Sequence, residues 1–274
     1  MINDRIRTTR EDRRFFPCHV VTLCFFIVAT LVPNAYASSL DGAAERYRSY
    51  LIDDIGRALA GTRIMRERME AHDLAGAKRA WIEARIGWER SEVFTSGFVP
   101  ELDQQIDAWP NAIHGFHGIE AKLWANRGDA YEETDALIAH LTDLQAQIQH
   151  IRLEPQRLLN GIARLAFEIG GNKADGGESR LSGTSLNDMQ SNADGIELAY
   201  RIIFSEAVET GAPQLAESVQ GVIRRLKSAV QVLALRNLDF EKLRADSEEL
   251  VAVLRSAAPA IGLEGPTLED AAPQ

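Results

Sequence analysis

Apolar residues recur at spacings of three and four through almost the whole chain after residue 38, and no stretch shows the alternation typical of a β-strand. Such spacing places apolar side chains on one face of an α-helix. Eight helical stretches follow one another, with breaks at prolines and at a glycine-rich loop over residues 170–178. The pattern predicts an all-α chain that folds as a double antiparallel four-helix bundle.

One predicted helix carries polar side chains on the face expected to be buried. That face is marked by Ile113, Phe116, Leu123 and Trp124. His117 and Glu120 fall on the same face three residues apart, so their side chains are neighbours. Because burial of an ionised Glu requires a compensating charge, this placement predicts a shared cation or a strong hydrogen-bond partner. A His–Glu pair that only satisfies itself inside the bundle is the alternative.

The helix predicted over residues 73–94 shows the same feature. Arg85 and Glu92 interrupt its apolar stripe, and Glu89 lies one turn before Glu92, which gives an ExxE pair. Glu pairs also decorate solvated helix faces, and that interpretation stays open from the spacing alone. A short helical segment over residues 101–108 then carries Asp103 and Asp107.

The first 37 residues are predicted to be a cleaved export signal. A basic start precedes the uncharged apolar run Val20–Val32, and Ala35–Ala37 is a small-x-small cleavage site. The run is shorter than the roughly 20 apolar residues that a membrane-spanning helix needs. Arg13 and Arg14 leave the twin-arginine route open beside the general one. We therefore predict a signal peptide over 1–37, a helical metal-binding domain over 38–258 and a mobile tail over 259–274.

Cleavage at this site changes the composition that bears on function. It removes Cys18 and Cys24, so any metal site must be built from His, Asp and Glu. Without the five Arg and three acidic residues of the signal, 25 basic and 37 acidic side chains remain, a formal charge of −12. This acidity argues against nucleic acid as a partner and favours attraction of cations.

Five separated stretches together indicate a family. They are residues 81–85, 88–92 (WERSE), 102–108 (LDQQIDA), 115–124 (GFHGIEAKLW) and 182–195 (SGTSLNDMQSNADG). In composition and order they resemble the imelysin-like family, and more closely its branch of periplasmic iron-uptake proteins of the EfeO and EfeM type. The resemblance implies an all-helical double bundle, in a short form without the cupredoxin-like domain of longer members.

The resemblance also implies a divalent-metal site built around the HxxE pair. Its metal ligands would be His117, Glu120, Glu89, Glu92, Asp107 and Glu178. Asp103 is the rival of Asp107, and His114 has no assigned role. An imidazole with several carboxylates suits iron, with zinc, manganese or copper as alternatives. Because these carboxylates repel one another, the empty site is expected to be destabilising or partly protonated.

The function implied is capture of iron in the periplasm for an inner-membrane iron permease, without catalytic turnover. A periplasmic haem peroxidase is a further partner expected from the family, and the protein is expected to be a monomer. One alternative is a metallopeptidase, although the HExxH motif common in such enzymes is absent from this sequence. Another is a bundle that binds a polysaccharide or other ligand through aromatic residues near the motif.

Overall fold

The computed structural model describes residues 32–108, 113–171, 173 and 178–268, and every regular element within them is a helix. The α-helices are α1 (Val32–Glu70), α2 (Leu74–Phe98), α3 (Pro100–Ile106), α4 (Gly115–Trp124), α5 (Tyr131–Gln147), α6 (Pro155–Gly170), α7 (Ser185–Ala199), α8 (Ser205–Gly211), α9 (Pro213–Val230) and α10 (Phe240–Ala257). Single 3-10 turns cover Leu235–Asn237 and Ala258–Ile261. The predicted all-α fold is confirmed.

Local sequence signals explain where several helices begin. Asp73 caps α2 by accepting a hydrogen bond from the backbone N–H of Gly76 at 2.8 Å. Asp239 caps α10 in the same way. Proline occupies the start of α3, α6 and α9. Its missing N–H costs nothing at the first position of a helix, and its fixed φ favours the helical turn.

The helices form two groups that share one core. α2 and α5 both contact α4, and α1 is tied to α5 through a salt bridge between Arg66 and Asp135 of 2.8 Å. α6, α7, α9 and α10 pack around one another. α2 also packs against α6 and α7, so it joins the two groups. Their apolar faces merge into a continuous core that extends from Leu40 to Ile261.

Two glycines allow α6 and α7 to approach α2 closely. A Cβ atom on Gly161 would lie 1.9 Å from the carbonyl oxygen of Val93, and one on Gly195 would lie 2.5 Å from that of Arg90. Neither distance is compatible with a side chain, because atoms in a protein interior are already close-packed. Both contacts lie beside Glu89 and Glu92, so they bring α6 and α7 up to the ExxE pair.

The helix that begins with α7 contains a π-helical turn. Tyr200–Phe204 connects α7 to α8 without a break, and the N–H of Ser205 donates to the carbonyl of Tyr200, five residues earlier. Such a turn holds one more residue than an α-helical turn. α8 then contacts α9 and the 3-10 turn at residues 258–261.

One sequence expectation needs correction, and one stays open. Ile113 was expected on the buried face of α4, but its side chain is 75% exposed because it precedes the helix. The predicted tail begins with the 3-10 turn, and the backbone of Glu264 exchanges hydrogen bonds of 2.9 and 3.2 Å with the side-chain amide of Gln156. Residues 269–274 lie outside the described part, and tail mobility stays a prediction.

Residues 1–31 of the predicted signal also lie outside the described residues, and α1 begins at Val32. The cleavage site therefore stays a prediction. Among the described helices, none combines the length and the apolar character needed to cross a lipid bilayer.

Candidate metal centre

Helix α4 begins at a position that requires glycine. Gly115 has a φ of +58°, and a Cβ atom there would lie 2.3 Å from the carbonyl oxygen of Ile106. This close approach seats α4 against the end of α3, where the N–H of His117 donates to the carbonyl of Asp107 at 3.4 Å. The glycine thus positions His117 beside Asp107.

Glu120 fixes the orientation of the His117 ring. One carboxylate oxygen of Glu120 lies 3.0 Å from Nδ1 of His117, and the other accepts the backbone N–H of Ser182 at 2.7 Å. The opposite nitrogen of the ring, Nε2, faces Asp107 Oδ1 at 3.7 Å and Glu178 Oε1 at 3.8 Å. In many metal sites, the histidine ring nitrogen that does not bind the metal donates a hydrogen bond to a carboxylate.

The charges around this pair favour a protonated imidazole. Burial lowers the pKa of His117, but the negative charge of Asp107, the hydrogen bond with Glu120 and the nearby carboxylate of Glu178 outweigh it and raise that pKa to about 9. Burial raises the pKa of Glu120, and the bonds from His117 and Ser182 lower it below its usual range. The ring therefore carries a proton that a bound metal ion would replace.

The ExxE pair of α2 faces the interior. Glu89 and Glu92 are buried, which contradicts a solvated helix face for them. Nδ2 of Asn192 on α7 donates to Oε2 of Glu89 and to Oε2 of Glu92, both at 2.8 Å. The same amide also donates to the backbone carbonyl of Glu89 at 2.9 Å. Asn192 therefore holds the two carboxylates together.

Two further carboxylates reach the cluster from connections between helices. Asp107 follows α3 and Glu178 precedes α7. Each is followed by a non-glycine residue in the left-handed region, Ala108 with a φ of 62° and Ser179 with a φ of 43°. Such conformations cost about 1–2 kcal/mol for a residue with a Cβ. The backbone is thus strained directly beside both side chains.

Buried cations neutralise much of this negative charge. Arg85 forms ion pairs with Glu89 and Asp107 and lies 3.3 Å from Asp188 Oδ2. Lys173 Nζ lies 2.8 to 2.9 Å from one oxygen each of Glu89, Glu92 and Glu178. These ion pairs offset part of the repulsion between the carboxylates that was expected to make the empty site destabilising or partly protonated.

Some protonation is still expected. Burial raises the pKa of Glu92 well above its usual range and raises that of Asp188 to about 7, although Arg85 acts against the rise at Asp188. These shifts agree with the prediction that the carboxylates do not all ionise together. The cluster therefore balances its charge both by pairing and by keeping protons.

The structure brings five of the six predicted ligands together. Two overlapping sets could hold an ion, namely Asp107, His117 and Glu178, and Glu89, Glu92, Asp107 and Glu178, with the ligand atoms of each set within 4.8 Å of one another. Glu120 lies outside both sets and instead holds His117. Asp103 also lies outside both, so the geometry favours Asp107. His114 contacts the carbonyl of Gln104 at 3.3 Å.

Several residues of the cluster were not predicted. Arg85 interrupts the apolar stripe of α2, but the sequence alone assigns it no role. Asp188 and Asn192 lie four residues apart in the stretch over 182–195, and that spacing places them on one face of a helix. Lys173 lies in a glycine-rich connection, where no periodicity marks an inward-facing side chain.

Comparison with known proteins agrees with this architecture. The family model for imelysin, Peptidase_M75, matches residues 43–112 and 111–258. The chain belongs to the imelysin family. Among solved structures, this imelysin-family chain resembles a protein described as an iron-regulated protein A precursor from Parabacteroides distasonis, with a TM-score of 0.66 and 15% identity over 82% of this chain and 95% of that one. At that identity the likeness shows the fold alone.

Two curated relatives are named for iron uptake. The iron uptake system component EfeM of Bacillus subtilis (strain 168) is 27% identical over 181 residues, covering 63% of this chain and 47% of EfeM. The component EfeO of Escherichia coli (strain K12) is 26% identical over 201 residues, covering 69% of this chain and 52% of EfeO. This imelysin-family chain therefore spans about half the length of the relatives that it matches.

Proposed function

We propose that this protein binds a divalent metal ion, with iron as the preferred candidate, and delivers it to an inner-membrane iron permease. The observation that carries the proposal is the convergence of buried side chains from α2, α4 and two connections. They are Glu89, Glu92, Asp107, His117 and Glu178. Separate parts of the sequence thus supply one concentrated set of metal-binding groups.

The chemistry of the donor atoms fits iron. Carboxylate oxygens with one imidazole nitrogen bind ferrous and ferric iron, manganese and zinc, whereas thioether and thiolate ligands select softer ions. The curated relatives are named as iron-uptake components, which favours iron as the physiological cargo. Zinc, manganese and copper are the alternatives that a titration has to separate.

The proposed setting is the periplasm. The predicted signal over residues 1–37 would direct export, and the relatives are components of uptake systems, which implies further members of such a system. We propose the permease as the acceptor of the metal and a haem peroxidase as a further partner. N-terminal sequencing of the periplasmic protein tests export, and Ser38 is the expected first residue.

A metallopeptidase is less well supported. The curated relatives are named for iron uptake, and the peptidase label comes only from the family name. Hydrolysis would need a substrate beside a metal-bound water, but the proposed ligands are at most 8% exposed. Sugar stacking is also poorly supported, because Trp81, Trp88 and Phe116 are completely buried.

Calorimetric titration of the metal-stripped protein tests the proposal. Ferrous iron under anaerobic conditions, manganese, zinc and copper would each be titrated into the parent protein and a His117→Ala, Glu120→Ala double variant. We expect saturable binding that the double variant loses. Binding of no metal by the parent would overturn the proposal, and Ala substitution of Glu89 or Glu178 without loss of affinity would remove that residue from the ligand set.

A further inference from the structure

Lys173 occupies the centre of the carboxylates that are proposed to bind metal. Its Nζ lies 2.8 Å from Glu89 Oε2, 2.9 Å from Glu92 Oε2 and 2.9 Å from Glu178 Oε2. The lysine is only 4% exposed. An ammonium group has three N–H donors, so these contacts use all of them. The three carboxylates thus surround a single point of positive charge.

Lys173 and a metal ion would compete for the same groups. Glu89, Glu92 and Glu178, which bind the ammonium, belong to the set of four carboxylates whose oxygens lie within 4.8 Å of one another. A divalent ion takes carboxylate oxygens at about 2.0–2.2 Å. An ion at that distance would lie close to the ammonium, and two cations without water between them repel strongly.

The other buried cation that pairs with these carboxylates, Arg85, is held more firmly. Arg85 projects from the middle of α2, and its guanidinium lies 5.6 Å from the ring centroid of Trp81 and 5.5 Å from that of Phe116. It also pairs with Asp107 and Asp188, which Lys173 does not contact. Lys173 follows the end of α6, and its charge sits on a flexible four-carbon stem. Lys173 is therefore the cation that can leave.

We propose that Lys173 is an internal counter-ion that fills the metal position and is displaced when metal binds. This inference rests on the proposed metal-binding function. Displacement lowers the net affinity, because the metal must replace three charge-assisted hydrogen bonds. Return of the ammonium stabilises the carboxylates as the metal departs, so the lysine makes release to an acceptor easier.

A Lys173→Met variant tests the competition, with zinc and anaerobic ferrous iron as the probes. We expect affinity to tighten by about tenfold or more, because the competing charge is gone while all metal-binding side chains remain. The metal-free variant should melt at a lower temperature than the parent, and metal should raise its Tm by a larger interval. Unchanged or weaker affinity would overturn the proposal.

Lys227→Met is the matched control. Lys227 also bridges two carboxylates, Asp194 at 2.8 Å and Glu197, but outside the metal-binding sets. We expect its removal to leave metal affinity unchanged. If it tightened affinity as much as Lys173→Met does, the effect would reflect net charge and the proposal would fail.

Amine labelling of the unmodified protein provides a second test that needs no variant. Lys173 should resist acetylation by an N-hydroxysuccinimide ester in the metal-free protein and react once zinc saturates the site, with Lys227 as the internal reference. Zinc binding without any change at Lys173 would overturn the displacement. A parent that binds no metal in the calorimeter would instead refute the proposed function, so the two failures are distinguishable.

Discussion

The candidate metal centre consists of two halves. The side chains of one half lie on helices, and those of the other half lie on connections between helices. Glu89, Glu92 and His117 project from α2 and α4, and each is fixed by a neighbour such as Asn192 or Glu120. The connections supply Asp107, Glu178 and Lys173, where strained residues follow both acids. The helical half is positioned by regular secondary structure, whereas the other half depends on the local backbone conformation of two connections.

This difference bears on two requirements of the proposed metal carrier. Selection of an ion needs ligands held in fixed directions, which regular helices provide. Release needs groups whose positions can change at small cost, which connections provide more readily than packed helices. A site composed of both halves can meet each requirement.

The largest expected effects on stability come from two single variants, one that removes an acid from the helical half and one that removes an acid from the other half. Glu89→Ala should lower the free energy of unfolding of the metal-free protein by about 3–5 kcal/mol, because it removes a buried carboxylate that pairs with both Arg85 and Lys173. Glu178→Ala should cost less, because Glu178 pairs closely with Lys173 but lies 3.7 Å from Arg85. Urea unfolding measures both, and equal losses would contradict the distinction between the halves.

The helical half also depends on close helix contact. Gly161→Ala should lower the free energy of unfolding by about 1–3 kcal/mol, because the added methyl group meets the carbonyl of Val93. Gly221→Ala is the control, since its nearest neighbours are arginine side chains at 3.9 Å. That change should stabilise α9 by about 0.5–1 kcal/mol. Thermal and urea unfolding of both variants measure these changes in stability. If Gly161→Ala left stability unchanged, α6 would not need to pack so closely against α2.

A smaller effect is expected at the residue that orients the histidine. Glu120→Gln should weaken zinc affinity by about tenfold while the fold is retained, because the charged partner of His117 Nδ1 is lost. Calorimetry with Glu132→Gln as an exposed control on α5 measures the change. An unaltered affinity would show that the fixed orientation of the ring is not needed.

The smallest effect concerns Asp103, which lies outside the cluster. Burial raises its pKa from 3.8 to about 7. The native state therefore holds this proton more tightly than the unfolded state, and stability falls as pH rises from 4 through 7. Asp103→Asn should be more stable than the parent by about 1 kcal/mol at pH 8 but not at pH 4. Unfolding curves of the parent and the variant at pH 4 and pH 8 measure this difference. The variant should bind zinc as tightly as the parent, and a loss of zinc affinity would show that Asp103 is a metal ligand.

Sequence reasoning recovered the helices because the buried faces have a regular period. It also found the buried acids of α2 and α4, since polar residues on an apolar stripe are conspicuous. It failed for Ile113, where the period was extended past the helix start at Gly115. It could not find Lys173, because the fold of a connection decides whether a lysine points inward. The charge balance of the site depends on that unpredictable residue.

The π-helical turn at Tyr200–Phe204 sets the rotational phase of the long helix that contains it. One additional residue advances every later side chain by about 100° around the axis. Asp188 and Asn192 before the turn face the acidic cluster, while Ala207 and Val208 after it are buried near α9. The continuous helix therefore presents one face to the acidic cluster before the turn and a different face to α9 after it. Deletion of one residue from the turn would leave the first surface in place and rotate the second into solvent.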